Sequence, residues 1–279
     1  MPCLLRPLTL LLYGVLVLGV AEAKPPMPVP EAFPTGRQVR LANLHVSDTD
    51  WQQLAAPLQD LLRDLAPDMV ILHSVISDTS SGPPACRMAR PLKMQCDFVS
   101  ADPPSQRLRQ GTALMSARPL VADGLTLLHG GPETAPVAAG FQRLDVDGVP
   151  VDVYVASLAP GIANRSGRQR QAGDLRQWMA SQASELPLVV ANFASGGKEL
   201  SSLMPGWRAS RARNAASGDR SHGLDVLYLP GCRLLETRSL TVLEPGTGNE
   251  VAIGLLVRLQ LPERPRTPEA ATPDPLSRS

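Results

Sequence analysis

Three histidines and one aspartate lie close to the boundaries of apolar runs in the sequence: His45 and His73 near the ends of two runs, and His222 and Asp225 near the start of a third. Such runs are typical of buried strands, which deliver the side chains at their ends to the edge of a sheet. Imidazole exchanges protons near neutral pH and binds transition metals, so these residues could form a metal site or an acid/base site. Histidines that only form hydrogen bonds at strand ends are the alternative, and the sequence leaves both open.

The stretch LPLVVANFASGG, residues 186–197, ends an apolar run with Asn192 and Ala194, where a reaction site would be expected to carry a carboxylate. Ser74 and Ser157 also follow apolar runs. Neither serine lies in the G-x-S-x-G turn that exposes a nucleophile in hydrolases. The sequence therefore favours neither residue as a nucleophile and lacks the acid expected at the strand end.

A polar segment rich in arginine, GWRASRARNAASGDRSHG, precedes the run that holds Asp225. Guanidinium groups suit the recognition of phosphate or carboxylate. The candidate ligand-binding residues in this segment are Arg208, Arg211, Arg213 and Arg220. A solvated loop without a ligand is the alternative interpretation.

Apolar periodicity predicts alternating strands and helices that would position these residues. The predicted helices are DWQQLAAPLQDLLRDLA, capped by Asp50, and RQRQAGDLRQWMASQA. The predicted strands are VRLANLHV, PDMVILHSV, TALMSA, LTLLHG, the two halves of GFQRLDVDGVPVDVYVASL around a turn at Asp147-Gly148, the strand at Leu188, GLDVLYL, SLTVL and VAIGLLVRLQL. The first strand, the first helix and the second strand form a β-α-β start.

The N-terminus predicts export. Arg6 precedes an apolar run that ends at Val20, and AEA at residues 21–23 fits a signal peptidase site. The run is shorter than the roughly 20 residues that span a bilayer, although an uncleaved anchor is the alternative. We therefore expect a signal peptide at 1–23, a proline-rich leader at 24–38, one domain at 39–261 and a disordered tail at 262–279, with the protein in the periplasm or the extracellular space.

The overall charge of the chain is close to zero. Lysine and arginine total 27 against 26 acidic residues, for a net charge of +1. This balance gives no strong nucleic-acid signature. After signal cleavage no integral membrane segment is expected.

Cys86 and Cys96 are predicted to form a disulfide, because export exposes the chain to oxidising conditions and a hairpin could bring the two residues together. Cys232 is left over. Three reduced, packed thiols are the alternative. Zinc is not expected, because the cysteines form no CxxC pair and have no histidine at ligand spacing.

The ordered strand-ending segments, from Val39 to Leu261, resemble the endonuclease/exonuclease/phosphatase superfamily. Arg168 and Gln171 keep an Arg-x-x-Gln helix start. The other matches are RLANLHV to its Asn-bearing first strand, LLRDLAPDMVILHSV to the helix and strand ending in Gln-Glu, GTALMSARPL to its Gly-x-x-hydrophobic-hydrophobic-Ser segment, VPVDVYVASL to the Thr-His-Leu strand, LVVANFAS to the Gly-Asp-Phe-Asn strand, HGLDVLYL to the Arg-Ile-Asp-Tyr strand and GNEVAIGLLV to the Ser-Asp-His terminus.

The resemblance implies an α/β fold, a four-layered sandwich of two mixed β-sheets flanked by helices. It also implies hydrolysis of phosphodiesters or phosphomonoesters by water, with a divalent metal that holds a phosphate oxygen. Such a site requires oxygen ligands for magnesium, a carboxylate that prepares the water and an imidazole that stabilises the transition state.

Two residues of the implied site are retained. Asn43 matches the asparagine that positions the metal-binding carboxylates, and Asp225 matches the acid of the Arg-Ile-Asp-Tyr strand. The metal-binding glutamate is replaced by Ser74, which follows His73 in place of glutamine. The histidine of Thr-His-Leu is replaced by Ser157.

The remaining motifs have also lost their reactive groups. Asn192 replaces the aspartate that orients the attacking water, and Ala194 replaces its companion asparagine. The aspartate and histidine of the last motif fall on Asn249 and Glu250. The resemblance therefore predicts a degenerate site that needs no cofactor, and an unknown ligand or protein partner bound at the old cleft.

An active metal-dependent phosphoesterase or nuclease with a rebuilt site, which would use Mg²⁺, is the alternative. In either case the strand-end positions should converge at one end of two packed sheets. These positions are Asn43, Ser74, Ser157, Asn192, Asp225 and Glu250.

Overall fold

The computed structural model describes residues 37–46, 48–160, 164–182, 186–193, 202, 204–211, 223–244 and 246–262, all within one compact unit, Gly36–Ser279. The strands are β1 (Gln38–His45), β2 (Met69–Asp78), β3 (Gln95–Val99), β4 (Leu108–Ser116), β5 (Leu120–Leu128), β6 (Val137–Val146), β7 (Val149–Ser157), β8 (Pro187–Phe193), β9 (Arg208–Arg211), β10 (Gly223–Tyr228), β11 (Arg233–Leu243) and β12 (Glu250–Gln260). The helices are α1 (Asp48–Leu65), α2 (Pro84–Ala89) and α3 (Arg165–Ser181).

The strands form two mixed sheets of six strands each. Sheet 1 has the order β11-β12-β1-β2-β4-β3, and sheet 2 has the order β5-β6-β7-β8-β10-β9. The β1/β2 and β7/β8 pairs are parallel, and the other described pairs are antiparallel. Helices α1 and α3 connect the parallel pairs, because a parallel connection needs a crossover.

Apolar side chains fill three spaces between four layers. Alternate residues of the central strands pack between the two sheets, in the inter-sheet core. The opposite face of sheet 1 packs against α1 and α2, and the opposite face of sheet 2 packs against α3. The predicted four-layered sandwich is therefore confirmed.

The same alternation positions polar residues at the strand ends. Because successive side chains of a strand point to opposite faces, every second residue shares a face. Leu41, Val155 and Val190 lie in the inter-sheet core. The next positions on that face of β1, β7 and β8 are, respectively, Asn43, Ser157 and Asn192.

The predicted elements occur where expected, with local differences. The β-α-β start is confirmed, but α1 begins at Asp48, so Asp50 lies within the helix and is not its cap. The turn between β6 and β7 is confirmed at Asp147 and Gly148, which have φ angles of 53° and 81°. The structure adds β3, β9 and α2, which were not predicted because they are short.

The predicted disulfide joins Cys86 and Cys96, whose Cα atoms are 5.3 Å apart. The predicted hairpin between them is wrong, because Cys86 lies in α2 and Cys96 in β3. The bond therefore ties a helix to the edge of sheet 1. Cys232 is a buried thiol, and burial raises the pKa of this thiol. Among the described helices, none has the length and apolar character to span a bilayer.

Candidate functional site

The candidate site lies between the two sheets, where the parallel strands β1, β2, β7 and β8 end. The carboxyl ends of parallel strands meet at one edge of a sheet. Register places Asn43 beside Ile71 and His45 beside His73 in sheet 1, and Ser157 beside Asn192 in sheet 2. Hydrogen bonds then join the two sheets at this edge.

Asn43 is the first link between the sheets. Its side chain is fully buried, and its Nδ2 donates to the carbonyl oxygens of Ala191 at 3.2 Å and of Asp225 at 3.3 Å. Both acceptors belong to sheet 2. Because the amide nitrogen is used in this way, the amide oxygen Oδ1 remains to accept a hydrogen bond, and it lies 2.8 Å from His73 Nε2.

His73 is held as a neutral imidazole in a single tautomer. Asn43 Oδ1 can only accept, so Nε2 carries the proton and Nδ1 is an acceptor. Nδ1 lies 2.9 Å from Ser157 Oγ and 3.4 Å from Thr112 Oγ1, two hydroxyls that can donate to it. Burial and, to a smaller extent, the nearby His45 together lower the pKa of His73 to about 3.

The order Ser157, His73, Asn43 has the connectivity of a nucleophile, a base and an orienting group. The chemistry does not follow from this connectivity. A base must accept the serine proton near the working pH, and an imidazole with a pKa of about 3 accepts it poorly. Asn43 is neutral and cannot stabilise an imidazolium as a carboxylate would. The three residues form a structural hydrogen-bond network.

Ser74 owes its position to a β-bulge in β2. His73 and Ser74 together lie between the paired residues Leu72 and Val75, whereas β4 has only Thr112 in the corresponding interval. Ser74 has a φ of 61°, a left-handed conformation that is uncommon outside glycine. The bulge lets two consecutive side chains contact the site, because it interrupts the alternation of the strand.

A second cluster surrounds His45 at the mouth of the site. Ser74 Oγ lies 3.3 Å from His45 Nδ1, and Asn192 Nδ2 lies 3.2 Å from the same atom. An amide nitrogen can only donate, so His45 Nδ1 acts as an acceptor here. Hydrogen bonds thus join His45 to Ser74 and Asn192 at the positions where the resemblance implied a metal ligand and a water-orienting acid.

A cleft of about 420 Å³ opens beside these clusters. Strands of both sheets contribute to its walls. Its described lining residues are His45, Ser74, Val99, Ser100, Ala101, Asp102, Gln110, Gly111, Thr112, Pro136, Val137, Ala138, Ser157, Leu158, Pro160 and Asn192. Among these, Asp102 carries the one carboxylate and His45 the one imidazole.

Gln171, from the predicted Arg-x-x-Gln start of α3, holds two walls of the cleft. Its side chain is fully buried. Oε1 accepts a hydrogen bond from the backbone N–H of Ala159 at 2.9 Å, and Nε2 donates to the carbonyl of Ala135 at 3.2 Å. Arg168 is also buried and its Nη1 lies 3.5 Å from the carbonyl of Ala159. The motif is therefore a positioning device in this fold.

The carboxylate of Asp225 does not line the described cleft, although its backbone lies at the predicted end of the sheets. Asp225 pairs directly opposite Ala191 in the β8/β10 ladder, and Ala191 belongs to the core beneath α3. Directly opposed residues of a ladder share a face, so the carboxylate of Asp225 lies on the helix side of sheet 2. Its side chain is 1% exposed, and only its carbonyl meets Asn43.

The last motif also stays outside the cluster. Glu250 begins β12 opposite Leu243 in β11 and is exposed, as is Asn249 before it. Strand register places Glu250 at the same end of sheet 1 as the cleft. Neither residue belongs to the described cleft lining. The predicted positions thus lie at one end of the sheets, and of these Ser74, Ser157 and Asn192 line the described cleft.

Several predicted residues lie outside the part of the chain that the structure describes, namely Ala194, Arg213, Arg220 and His222. Arg208 is an exposed residue of β9, and Arg211 ends the same strand. Strand β9 pairs with β10 at the edge of sheet 2.

The residues that the structure describes at this site do not fit a magnesium ion. Magnesium prefers several oxygen ligands, usually including carboxylates. Within the described ranges, no three His, Cys, Asp or Glu side chains are grouped closely enough to hold a metal ion. The oxygen of Asn43 is engaged by His73, and Ser74 contacts His45.

Sequence reasoning did not identify the hydrogen bonds of His73 or the role of Thr112. The residue pair at 73–74 gave no sign of a bulge, since serine is not a residue that typically marks positive φ. A signal did exist for Gln171, because a glutamine among the apolar positions of α3 must find partners if it is buried.

Solved structures share this architecture. No protein-family profile matches the chain, and no curated protein matches it significantly. The catalytic domain of human Nocturnin, with a bound sulfate anion, has a TM-score of 0.62 at 16% identity and covers 80% of this chain and 93% of its own. An endonuclease/exonuclease/phosphatase family protein from Bacteroides thetaiotaomicron has a TM-score of 0.61 at 9% identity and covers 82% and 99%.

A mannosyl-6-phosphatase from Bacteroides thetaiotaomicron VPI-5482 gives a TM-score of 0.59 at 9% identity, covering 80% of this chain and 98% of its own. At such identities the likeness establishes the fold alone. The resemblance predicted from the order of the motifs is confirmed at that level. This chain has the endonuclease/exonuclease/phosphatase fold.

Proposed function

We propose that this chain is an exported, noncatalytic binding protein that keeps the endonuclease/exonuclease/phosphatase fold with a degenerate phosphoesterase site. The observation that carries this proposal is the network of Asn43, His73 and Ser157. Neutral hydrogen bonds join these residues where the resemblance implies charged, metal-bound chemistry. The ligand or protein partner would bind in the adjacent cleft. No cofactor is expected, because the protein would catalyse no reaction.

The loss of reactive groups should leave little catalysis. Removing one preorganised charged group typically costs about two to three powers of ten in rate. Ser74 and Asn192 replace two such groups, and their hydrogen bonds to His45 give them a structural role. Losses of this kind are not additive, but any one of them is large.

The arginines of the loop supply a second candidate contact for a ligand. Arg208 is exposed at the start of β9, and Arg211, Arg213 and Arg220 follow it in the chain. Arg208 is not among the described lining residues of the cleft, so these guanidinium groups would form a separate contact, suited to a phosphate or carboxylate on a protein partner. Export to the periplasm or extracellular space rests on the signal peptide predicted from the sequence.

A metal-dependent phosphoric ester hydrolase with a rebuilt site is the second candidate function. The observation that favours it is the half-buried His45 at the mouth of the cleft, because imidazole is a common ligand for transition metals. His222 and further groups would have to join His45 on binding, since the described residues hold no such cluster.

A turnover assay of the mature chain separates the two candidates. DNA, nucleotides and phosphoinositides are incubated with magnesium, manganese or zinc, and we expect no product above the enzyme-free rate. The proposal is wrong if a chelator removes a measured activity and His45→Ala abolishes it. The matched control is His129→Ala, which alters an exposed histidine outside the cleft and should leave such an activity unchanged.

A further inference from the structure

The walls of the cleft are mainly apolar and carry a negative charge. Val99, Val137, Ala138 and Leu158 face the space from both sheets. Asp102 lies at the rim, where its Oδ2 accepts a hydrogen bond from the backbone of Gln110 at 2.7 Å. A carboxylate at an apolar cleft repels an anionic ligand, because the attraction or repulsion between charges grows as water is excluded.

One group of polar lining residues lies where β1 and β8 end and at the bulge of β2. His45, Ser74 and Asn192 form a cluster of one imidazole, one hydroxyl and one amide. A hydroxyl accepts as well as donates, and an amide has two donors and an acceptor, so this cluster can exchange further hydrogen bonds with a neutral group. A ligand that suits the cleft therefore has a small polar head at this end.

The apolar wall continues sideways onto β5, the edge strand of sheet 2. Leu127 is directly opposite Ala138 of the cleft, and Leu125 is the next residue of β5 on that face. Their side chains are 39% and 52% exposed. Adjacent apolar side chains that remain exposed beside a cleft are typical of a binding surface. We call Ala138, Leu127 and Leu125, which share one face of sheet 2, the apolar strip.

We propose that the cleft binds an uncharged amphiphile, with a hydroxyl or carbonyl head at His45, Ser74 and Asn192 and an alkyl body along the apolar strip. This inference rests on the proposed binding function and adds the chemical class of the ligand. It differs from the phosphate chemistry of the fold family, because Asp102 is the charged residue of the described lining and burying a phosphate beside it would be unfavourable. Arg109 donates from Nε to the carbonyl of Asp102 at 3.2 Å, but it is not part of that lining.

Displacement of a fluorescent probe tests the ligand class. Nile red, which is uncharged, is bound to the mature chain and displaced by decanol, decanoate or decyl phosphate. Decanol is kept below its solubility limit, and the two anions are kept below their critical micelle concentrations. We expect decanol to compete at least about tenfold more tightly than either anion, a difference of about 1.4 kcal/mol. Equal or tighter binding of decyl phosphate would overturn the inference.

Variants locate the bound molecule. Leu127→Asp should weaken decanol at least about fivefold, since a charge would lie against the alkyl body, and should leave the shorter hexanol unchanged. Val121→Asp is the matched control, because Val121 is 61% exposed on the same strand and lies beyond the apolar strip. Ala138→Trp should block the cleft for both alcohols, with circular dichroism verifying its fold.

The outcomes remain distinguishable from those of the turnover assay. Failure of decanol to displace Nile red, with no phosphoester turnover, contradicts the ligand class and leaves the noncatalytic proposal intact. Loss of decanol binding in Val121→Asp as well as in Leu127→Asp also contradicts the placement on the apolar strip. Metal-dependent turnover contradicts the proposed function itself.

Discussion

His73 changes what its neighbours can do. An asparagine such as Asn43 could orient a ligand set, but here its oxygen is engaged by His73 Nε2 at 2.8 Å. Ser157, at the position where the resemblance implies a histidine, lies 2.9 Å from the other ring nitrogen. One buried ring therefore forms hydrogen bonds with side chains of both sheets. A neutral hydrogen-bonded ring costs less to bury than a charge, which is why it persists without a counterion.

The pH dependence of stability should reveal His73. Its pKa is lowered to about 3 by burial and by the nearby His45, whereas an unfolded histidine titrates near 6.5. Between pH 3 and pH 6.5 the unfolded chain binds a proton at this histidine and the folded chain does not. The contribution of neutral His73 to stability is therefore complete above pH 6.5 and is lost as the pH falls towards 3. We expect a loss of up to about 1.4 kcal/mol per pH unit in this window, measured by urea unfolding from pH 7 to pH 4.

Carboxylates also titrate in part of this window, so the test is a difference between variants. His73→Gln keeps a donor and an acceptor but cannot take up a proton, and its stability should fall less steeply with acid than that of the natural protein. Equal slopes for His73→Gln and the natural protein would contradict the buried neutral state.

The residues of the site differ in how far sequence could place them. Asn43, Ser157 and Asn192 were predictable, because strict alternation along a strand continues from apolar core residues to its end. The face to which the Asp225 carboxylate points was not predictable, because the motif gives its position along β10 but not the face that pairing with Ala191 assigns to it. Ser74 reached the site through a bulge, which no local residue preference announces.

At the scale of elements, α3 connects the two walls of the cleft. The helix follows β7, and its buried face packs under sheet 2. Gln171 bonds the segment after β7 through Ala159 and the segment before β6 through Ala135. Loops are more mobile than the elements they connect. The two hydrogen bonds of Gln171 therefore fix the positions of these two segments, whose neighbouring residues line the cleft.

Gln171→Leu should destabilise the protein and loosen the cleft. Leucine is similar in size but leaves the N–H of Ala159 and the carbonyl of Ala135 without this partner, at about 1 to 3 kcal/mol for each buried group that stays unsatisfied. We expect a lower midpoint in urea. Gln169→Leu, on the exposed face of the same helix, should change stability by less than about 0.5 kcal/mol.

Amide hydrogen exchange gives this prediction a readout beyond stability. The N–H of Ala159 should lose protection in Gln171→Leu, while amides in the centre of β7 remain protected under the same conditions. If Gln169→Leu and Gln171→Leu destabilise equally, or if Ala159 stays protected, Gln171 is not the residue that holds these segments.

At the scale of the whole molecule, the fold and the chemistry of the site are separable. The sheets, their order and the helices outside them follow from long apolar runs, which the sequence makes plain because both faces of each central strand are buried. The reactive groups occupy few positions at the strand ends, so they can be lost while the packing of three cores is kept. Fold alone therefore does not fix activity.

Magnesium should not stabilise the natural protein. An ion that binds only the folded state stabilises it by RT ln(1 + L/Kd), where L is the free ion concentration, and so raises the unfolding temperature. The described residues offer magnesium no group of carboxylates, and magnesium gives up its water reluctantly. We therefore expect the same thermal midpoint in millimolar magnesium and in chelator, measured at constant ionic strength with calcium as the control ion.

A restored variant shows whether the fold itself still supports a metal site. It carries the changes that the resemblance implies, together with the removal of the ring that engages Asn43: His73→Gln, Ser74→Glu, Ser157→His, Asn192→Asp, Ala194→Asn, Asn249→Asp and Glu250→His. The carboxylates at 74 and 192 would then enter the position that His45, Ser74 and Asn192 now fill with mutual hydrogen bonds. We expect this variant to be less stable in chelator, because the new charges repel one another, and to regain stability with magnesium. A magnesium-dependent midpoint in the natural protein, removed by Asn192→Ala, would show instead that its site already binds the ion.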